Sequence, residues 1–405
     1  MSWESVKLGD ISSGIQTGPF GSQLHQSDYT EDGTPVVMPK DLIGGKISEQ
    51  SIARVGAEHV QRLQRHIIRN GDILYSRRGD VGRCAFATER ETGWLCGTGC
   101  LRVTVNPRVA DNKFVFYQLQ QSSTIGWVEK HAVGATMLNL NTTILSNIPV
   151  FLPPIETQRR IADIVSAYDD LIENNRKQIK LLEEAAQRLY KEWFVDLRFP
   201  GHEHTKIVDD VPEGWESCIL DDVIEFDPKV RLDKDRVKQC VPMSALSTSS
   251  MVLDMNEISE TTSNSGSKFQ NGDTLLARIT PCLENGKTAF VHGIESDEGA
   301  VGSTEYIVMR SKQLNPYMVY LLSRTNGFRQ SAINSMSGSD GRQRVKADKL
   351  KSLAYLRPPV GLVHSFEQKV APVFGMVFTL NKQVFAATQA RDRLVPKLMS
   401  GKVEV

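Results

Sequence analysis

Cationic and amide side chains gather at three places in each half of this sequence, each a predicted loop or strand end. Arginine pairs well with guanine, and asparagine or glutamine with adenine, whereas lysine, arginine, serine and threonine bind phosphate oxygens. These residue types point to recognition of a nucleic acid, and the alternative for each is a solvated surface charge. The candidates of the first half are Ser22, Gln23, His25, Tyr29, Lys40, Arg77, Arg78, Arg83, Thr136, Asn139 and Asn141. Those of the second half are Lys229, Arg231, Lys234, Arg236, Lys268, Arg278, Lys287, Arg342, Gln343, Arg344 and Lys346.

The first place follows a phrase that occurs twice, as NGDILYSRRG at 70–79 and NGDTLLARIT at 271–280. The apolar DILYS predicts a strand, so Arg77 and Arg78 lie where that strand ends and a loop begins. Arg278 holds the corresponding position in the second half.

The second place is a polar loop, GATMLNLN at 134–141 and GSDGRQRV at 338–345, and the third is glycine-rich. The third reads TGPFGSQLHQSDY in the first half, and the second half replaces it with KVRLDKDRVKQCVPMSAL. The polar loops differ far more than their surroundings, as expected if the two halves recognise different targets.

Composition limits the classes of protein that remain. A chain of 405 residues predicts two to four structural units, and 40% hydrophobic with 24% charged residues is typical of a globular protein. A net charge of zero argues against a nonspecific nucleic-acid coat but allows local positive charge. We see neither a signal peptide nor an apolar run long enough for a membrane helix, and expect a cytoplasmic protein. His66, Cys84, Cys96 and Cys100 are weak zinc candidates, and buried free thiols are the simpler interpretation.

Further matched segments surround the repeated phrase in the same order. WESVKLGD and WESCILDD lie 212 residues apart, NKFVFYQL and NPYMVYLL lie 203 apart, and FLPPI and LRPPV lie 205 apart. This collinearity predicts a tandem duplication of a roughly 200-residue unit. In each unit, short apolar runs with glycine and asparagine between them predict strands, and short helices are predicted at Phe114–Gln121 and Tyr317–Ser323.

The end of each unit carries an apolar seam with alternate spacings of four and three, which predicts a long helix with heptad packing. Its residues are Ile161, Val165, Tyr168, Ile172, Asn175, Ile179, Leu182, Ala186, Leu189 and Trp193. The equivalents 205 residues later are Phe366, Val370, Val373, Val377, Leu380, Val384, Ala387, Arg391, Leu394 and Leu398. Pro372 and Gly375 are expected to break or kink the second helix. Helix-on-helix packing is favoured over the alternative that each helix only covers its own sheet.

A two-fold relation between the units would make these helices antiparallel. Tyr168 to Trp193 would then span roughly 39 Å, close to one turn of DNA at about 34–36 Å. With the axis near residues 180–181, Asn175 and Arg391 would lie side by side and fix the register of the helices.

Three segments make the chain resemble the specificity subunit of type I restriction–modification systems. They are GPFGSQLHQSDYTEDGTPVV at 18–37, NGDILYSRRGDVGRCAF at 70–86 and LPPIETQRRIADIVSAYDDLIENNRKQIKLLEEAAQRLYKEWF at 152–194. The last matches the central conserved helical region of that family. The RPPVGLVHSFEQ of the second copy departs from the usual Pro-Pro-x-x-Glu-Gln pattern, which leaves the start of its helix in question.

The resemblance implies an α+β fold with two tandem α/β target recognition domains, pseudo-two-fold symmetric, and two long helices that form an antiparallel coiled coil. Each domain would read half of a bipartite, gapped site in double-stranded DNA. The helices would space the halves and dock two modification subunits, which hold S-adenosylmethionine and methylate adenine, and motor–endonuclease subunits can join. The chain itself would bind no cofactor, and no membrane is implied. We place the parts at 1–154, 155–199, 200–212 as a linker, 213–359 and 360–405.

The sequence contains no catalytic motif of the expected kinds. Both Pro-Pro pairs lack the neighbours of an amino-methyltransferase segment, and PCLENGKT has a proline where a phosphate-binding loop needs its first glycine. We therefore expect a noncatalytic reader of DNA. The alternatives are a duplicated protein-binding scaffold without DNA specificity and an enzyme in its own right.

Overall fold

The computed structural model describes residues 3–134, 137–296, 298–338 and 342–405. Its contacts divide the chain into two units: unit 1 runs up to Asp170 and includes Thr388–Val405, and unit 2 is Leu171–Ala387. Each unit therefore combines one sheet-rich domain with parts of both long helices.

Unit 1 contains two four-stranded sheets and two strand pairs. Its strands are β1 Glu4–Lys7, β2 Ser12–Thr17, β3 Tyr29–Thr30, β4 Thr34–Val37, β5 Leu42–Ile43, β6 Lys46–Ile47, β7 Ala53–Val55, β8 Ile73–Ser76, β9 Cys84–Phe86, β10 Leu95–Cys96, β11 Cys100–Val105 and β12 Pro149–Leu152. One sheet has the order β2-β11-β8-β9 and is antiparallel throughout, the other has the order β10-β4-β7-β3 with β10 and β4 parallel, and β1 pairs with β12 and β5 with β6. Its helices are α1 Ala57–Arg62, α2 Asn112–Leu119, α3 Ser122–His131, α4 Thr142–Ser146 and the first part of α5 Ile155–Tyr190, with 3-10 turns at Gln26–Asp28, Pro39–Asp41, Gln64–His66 and Glu89–Glu91.

Unit 2 repeats this plan. Its strands are β13 Ile207–Val208, β14 Val211–Pro212, β15 Glu216–Ile219, β16 Ile224–Phe226, β17 Lys238–Val241, β18 Ser259–Thr261, β19 Ser267–Phe269, β20 Thr274–Ala277, β21 Thr288–Phe290, β22 Ala300–Gly302, β23 Tyr306–Ser311 and β24 Ala354–Arg357. The helices are the rest of α5, α6 Leu220–Val223, α7 Pro316–Ser323, α8 Asn326–Asn334, α9 Ala347–Lys351 and the part of α10 Val360–Met399 up to Ala387, with a π-helical turn at Lys191–Val195 and 3-10 turns at His202–His204 and Met243–Ala245. The sheet β16-β23-β20-β21 corresponds to β2-β11-β8-β9, and the parallel pair β17/β22 corresponds to β4/β10. The predicted α+β fold with tandem domains is confirmed, and so are the short helices α2 and α7.

The repeated NGD builds the turn that enters β8 or β20. Gly71 and Gly272 have φ values of 85° and 92°, a left-handed conformation that glycine adopts at no steric cost. The two aspartates are fully buried and pair with arginines on the neighbouring strand: Arg102 Nε lies 3.6 Å from Asp72, and Arg310 donates two 2.7 Å bonds to Asp273. The NGD of the phrase therefore stabilises the fold, and only the arginines at the end of the phrase are candidates for nucleic-acid recognition.

The two long helices run antiparallel in unit 2. Asn175 Nδ2 donates to Gln383 Oε1 at 3.0 Å, and the ring of Trp193 lies 5.5 Å from that of Phe366. A later residue of α5 therefore meets an earlier residue of α10, as antiparallel helices require. All twenty seam residues are buried or half-buried, and the least covered include Leu182, Leu189 and Leu394.

The predicted register of the helices is wrong. Asn175 bonds to Gln383, eight residues before Arg391, which corresponds to roughly 12 Å along a helix. In unit 1, Arg391 instead donates to Asp169 at 2.7 Å. Because a heptad seam repeats every seven residues, its apolar pattern fits equally well after a slip of about one heptad, and the polar partners decide the register.

A break at Pro372 or Gly375 was expected and is wrong, since α10 continues from Val360 to Met399, whereas a kink there stays a prediction. Pro372 is exposed, and Phe374 and Val377 beyond it are fully buried. Burial of these side chains compensates for the backbone bond that proline cannot make, because a buried phenylalanine is worth about 1.5–3 kcal/mol.

By length and composition alone, α10 is also the one described helix that could cross a membrane, with a mean hydropathy of 1.3 in its most apolar window. We expected no such segment. In unit 2 its residues Phe366, Phe374 and Phe378 are buried, and the ring centre of Phe374 lies 5.3 and 4.7 Å from those of Phe290 and Tyr317. These three side chains of the helix therefore belong to the core of unit 2.

Each helix also covers its own sheet domain, so both packing modes that we considered occur. Ile161 and Val165 of α5 belong to the same apolar core as Phe114 and Leu101 of the first domain, and Phe374 of α10 packs on Phe290 of the second. The core of unit 1 also includes Leu398, from the end of α10.

Candidate nucleic-acid interface

One edge of the β2-β11-β8-β9 sheet brings the candidate segments of unit 1 together. At this edge β2 and β8 end and β11 begins, since Gly18 N donates to Cys100 O at 2.9 Å and Arg77 N to Gly99 O at 2.8 Å. The loop that follows Gly18 and the loop that follows Arg77 therefore leave the sheet side by side.

The polar loop joins them through backbone bonds. Leu140 N donates to Arg77 O at 2.8 Å, Gly79 N donates to Leu138 O at 3.1 Å, and Arg78 forms a β-bridge with Asn139. Segments that lie about sixty residues apart in sequence thus form one surface, which we call edge 1: the loops at 18–23, 77–83 and 137–141.

The arginines of edge 1 have different surroundings. The Arg77 guanidinium lies 5.8 Å from the centre of the Phe20 ring, a cation–π distance, and its buried Nε has no hydrogen-bond partner. Arg78 is exposed. Arg83 is exposed but forms a 2.8 Å ion pair with Asp80. Arg77 and Arg78 are accordingly the cations of this edge that are free to meet a ligand.

The remaining candidates of unit 1 are mostly held by their own surroundings. Gln23 Oε1 accepts from Phe20 N at 3.1 Å, Lys40 Nζ donates to Ser51 O at 2.8 Å, and Asn141 Oδ1 caps α4 by accepting from Ile144 N at 2.8 Å. Asn139 is half-buried and donates to Met137 O at 3.1 Å.

Ser22 and His25 are exposed, and half-buried Tyr29 belongs to β3 in the other sheet, where burial raises the pKa of its hydroxyl. Thr136 lies outside the described residues.

The equivalent edge of unit 2 has the same backbone plan. Arg278 N donates to Glu305 O and Val345 N donates to Arg278 O, both at 3.0 Å, while Ile279 bridges Arg344. Arg278 thus takes the place of Arg77, Glu305 that of Gly99, and Arg344 that of Asn139. We call this surface edge 2: residues 278–287, 303–305 and 342–346. The buried Nε of Arg278 lacks a hydrogen-bond partner, as that of Arg77 does.

An ion pair distinguishes edge 2 from edge 1. Arg344 Nη2 lies 2.7 Å from Glu305 Oε1, and Arg344 Nε lies 3.0 and 2.9 Å from the two carboxylate oxygens. The hydrogen bonds from Arg344, and to a lesser degree the charge of Arg278, hold the pKa of Glu305 below its ordinary value. The carboxylate is therefore ionised at neutral pH.

An open cleft of about 370 Å³ lies beside edge 2, and Lys229, Lys268 and Arg278 line it together with Asp227, Thr304 and Tyr306. Three cations against one carboxylate make this cleft suited to an anion such as a phosphate.

Other candidates of unit 2 fall into two groups. Lys287 Nζ donates to Met243 O at 2.8 Å, and Arg236 pairs with Glu298 at 3.1 Å, so both are engaged within the domain. The rest lie at the surface: Arg231, Lys234, Arg342 and Lys346 are exposed, and Gln343 is half-buried with its carbonyl accepting from Thr280 N at 3.0 Å.

Sequence reasoning missed Phe20 and Glu305. Phe20 is 51% exposed and underlies Arg77. Its signal was a large apolar residue inside a glycine-rich loop. Glu305 directly precedes β23, and a carboxylate at a strand end can accept from cytosine N4, so the base-reading argument that selected arginines also applied to it.

The cysteines do not gather into a metal centre. Within the part of the chain that the structure describes, no group of three or more His, Cys, Asp or Glu side chains is placed to hold a metal ion. Cys84, Cys96 and Cys100 are buried free thiols, and burial raises the pKa of Cys84 and of Cys96 to about 12.

Comparison with known proteins gives this geometry its context. A family model described as the type I restriction modification DNA specificity domain matches residues 1–184. The chain is also 24% identical over 423 residues to the type I restriction enzyme MjaIX specificity subunit of Methanocaldococcus jannaschii, covering 100% of this chain and 94% of the relative. Residues 1–184 belong to the family of type I restriction–modification DNA specificity domains, and the similarity to specificity subunits extends over the whole chain.

Two further likenesses extend over almost the full length of this chain. The HindI specificity subunit of Haemophilus influenzae is 19% identical over 468 residues, with 99% of each chain covered. The crystal structure of the type I restriction–modification S subunit from M. genitalium covers 98% of this chain and 96% of its own, with 15% identity and a TM-score of 0.64, and it shares the fold.

Proposed function

We propose that this chain is the DNA sequence-specificity subunit of a type I restriction–modification complex, and that edges 1 and 2 each read one half of a bipartite, gapped site. The main support is that equivalent backbone hydrogen bonds join the candidate segments at the same sheet edge in both units. The frameworks match, whereas the side chains on them differ, with Asn139 at one edge and Arg344 at the other. Two copies of one fold with different contact residues suit an asymmetric double-stranded target.

Arg77 and Arg278 suit a shared role. They occupy equivalent positions where β8 and β20 end, and each has a buried Nε without a hydrogen-bond partner. Both side chains are half-buried, and through its accessible part each would bind a phosphate oxygen, since arginine binds phosphate independently of sequence. The loops 137–141 and 342–346 beside them would then carry base recognition.

The partners in this proposal are double-stranded DNA, two modification subunits and motor–endonuclease subunits. The helices α5 and α10 would space the half-sites and dock the modification subunits. S-adenosylmethionine would be bound by the modification subunits, no cofactor by this chain, and the complex would work in the cytoplasm. A net charge of zero suits a reader whose partners share the phosphate contacts.

The test is to co-express the chain with its neighbouring modification-subunit gene and to map methylated adenines across the host DNA. We expect a single gapped motif with a methylated adenine in each half. A stable complex that leaves DNA unmethylated and binds it without salt dependence would contradict the proposal and favour the protein-binding scaffold, because phosphate contacts make binding weaken steeply with salt.

A further inference from the structure

The geometry of the Arg344–Glu305 pair leaves one edge of the guanidinium available. Glu305 takes the edge formed by Nε and Nη2, with three contacts between 2.7 and 3.0 Å. The other nitrogen, Nη1, makes only a long 3.4 Å contact with the carbonyl of Arg342. The edge formed by Nη1 and Nη2 therefore keeps two parallel N–H donors, which is the pattern that matches O6 and N7 of guanine in the major groove.

Both members of the pair are held by backbone bonds. Arg344 N donates to Ser337 O at 2.9 Å, and Ser337 N donates to Arg344 O at 3.0 Å. Glu305 O accepts from Arg278 N, and Glu305 N is bonded to Ser303 Oγ at 3.1 Å. The side chains are nevertheless accessible, with 40% of Arg344 and 25% of Glu305 exposed. A fixed yet accessible guanidinium can distinguish bases because it need not be ordered on binding.

Unit 1 replaces the two members together. Asn139 stands at the place of Arg344, and Gly99 at the place of Glu305. An arginine that needs orienting is thus accompanied by a carboxylate, whereas the asparagine is accompanied by none. This paired difference is what a recognition element predicts, because asparagine favours adenine and arginine favours guanine.

We propose that Arg344 reads a guanine in the half-site of the second domain and that Glu305 is the positioning residue that fixes its guanidinium. This inference rests on the proposed function. The Nη1 and Nη2 groups donate to O6 and N7 of that guanine, while the carboxylate keeps Nε and one hydrogen of Nη2.

The experiment maps methylated motifs in cells that express the complex with the wild-type chain, Arg344→Ala, Glu305→Gln or Arg357→Ala. For the wild type we expect a guanine in the second half-site. Arg344→Ala should lose roughly 5- to 150-fold of the preference for that base while the first half-site stays unchanged. Glu305→Gln should weaken the same preference less, because the neutral amide still accepts one bond. Arg357→Ala is the matched control: this arginine also pairs with a glutamate, Glu216, but it lies on the β15–β24 strand pair outside edge 2, and its loss should leave the motif unchanged.

The outcomes separate this inference from the proposed function. A wild-type complex without any gapped motif overturns both. A wild-type motif with Arg344→Ala keeping its full preference at every position overturns the guanine contact alone. A change in the same position for Arg357→Ala and Arg344→Ala alike would assign the effect to general charge and overturn it as well.

Discussion

The two units attach their sheet domains to the long helices in chemically different ways. In unit 1 the buried hydroxyl of Tyr117 donates to Asp169 at 2.7 Å, and Arg391 pairs with the same carboxylate at 2.7 Å. In unit 2 the equivalent of Asp169 is Phe374, whose ring contacts Tyr317 and Tyr320 at 4.7 and 6.0 Å. We call the contact of Tyr117, Asp169 and Arg391 the polar joint and the contact of Phe374 with Tyr317 and Tyr320 the aromatic joint.

A second difference lies at the sheet edges, where Asn139 and Gly99 of unit 1 correspond to Arg344 and Glu305 of unit 2. By contrast, the buried aspartate–arginine pair of the NGD turn occurs in both units. The turn is repeated because the sheet requires it, whereas the edge and the joint tolerate different chemistry. The comparison thus separates the residues that make the fold from those that can be adapted to a target.

The aromatic joint should be the most sensitive to truncation. Phe374→Ala removes a fully buried ring and should lower the free energy of unfolding of unit 2 by about 3–5 kcal/mol. Denaturant unfolding of the full chain, followed by hydrogen exchange of α7 and α2, would show whether the loss is confined to unit 2. Met376→Ala, at an exposed position on the same helix, is the control. An equal loss of hydrogen-exchange protection in α2 would contradict the claim that the two joints stabilise their units separately.

The shared turn should respond in both units. Asp273→Ala leaves Arg310 largely buried without its carboxylate and should cost about 3 kcal/mol. Asp72→Ala should also destabilise, since Asp72 accepts from Arg69 N at 2.8 Å and from Thr104 Oγ1 at 2.5 Å besides its contact with Arg102. Chemical denaturation of both variants measures this. If either variant left the free energy of unfolding unchanged, the turn would form without its ion pair.

The polar joint should cost less to remove. Asp169→Ala leaves the Tyr117 hydroxyl without its acceptor and should destabilise unit 1 by about 1–3 kcal/mol. Adding Tyr117→Phe to Asp169→Ala should restore part of the loss, because the unpaired hydroxyl is then absent. A double variant as unstable as the sum of the two single variants would contradict a direct coupling.

The smallest effect concerns pH and edge 2. Because the folded pKa of Glu305 lies below its ordinary value, its stabilising contribution is complete above that ordinary value and is lost as the pH falls through the folded pKa. The pair is partly exposed, so the contribution should be about 0–1 kcal/mol. Between neutral and acid pH, the free energy of unfolding should fall slightly more for the wild type than for Glu305→Gln. Identical profiles would mean that the ion pair adds nothing to stability, without bearing on base recognition.

The sequence predicted the duplication, the short helices and the face of each long helix, because these depend on local pattern. It did not predict the register between α5 and α10, since a heptad seam is almost unchanged by a slip of one heptad. The polar contacts of Asn175 with Gln383 and of Arg391 with Asp169 distinguish the alternatives. The candidate loops were also visible in sequence. The sequence did not show which cations are free, because their partners can be distant in the chain. Lys287, for example, donates to Met243 O, 44 residues away.

The central claim is that each sheet edge reads its own half-site. The most direct measurement exchanges residues 342–346 of edge 2 for the equivalent 137–141 of edge 1 and maps methylated adenines with the modification subunits present. We expect one half of the gapped motif to change, while the other half and the length of the gap stay as in the wild type. Changes in both halves, or an unchanged motif from a stable complex, would contradict the claim.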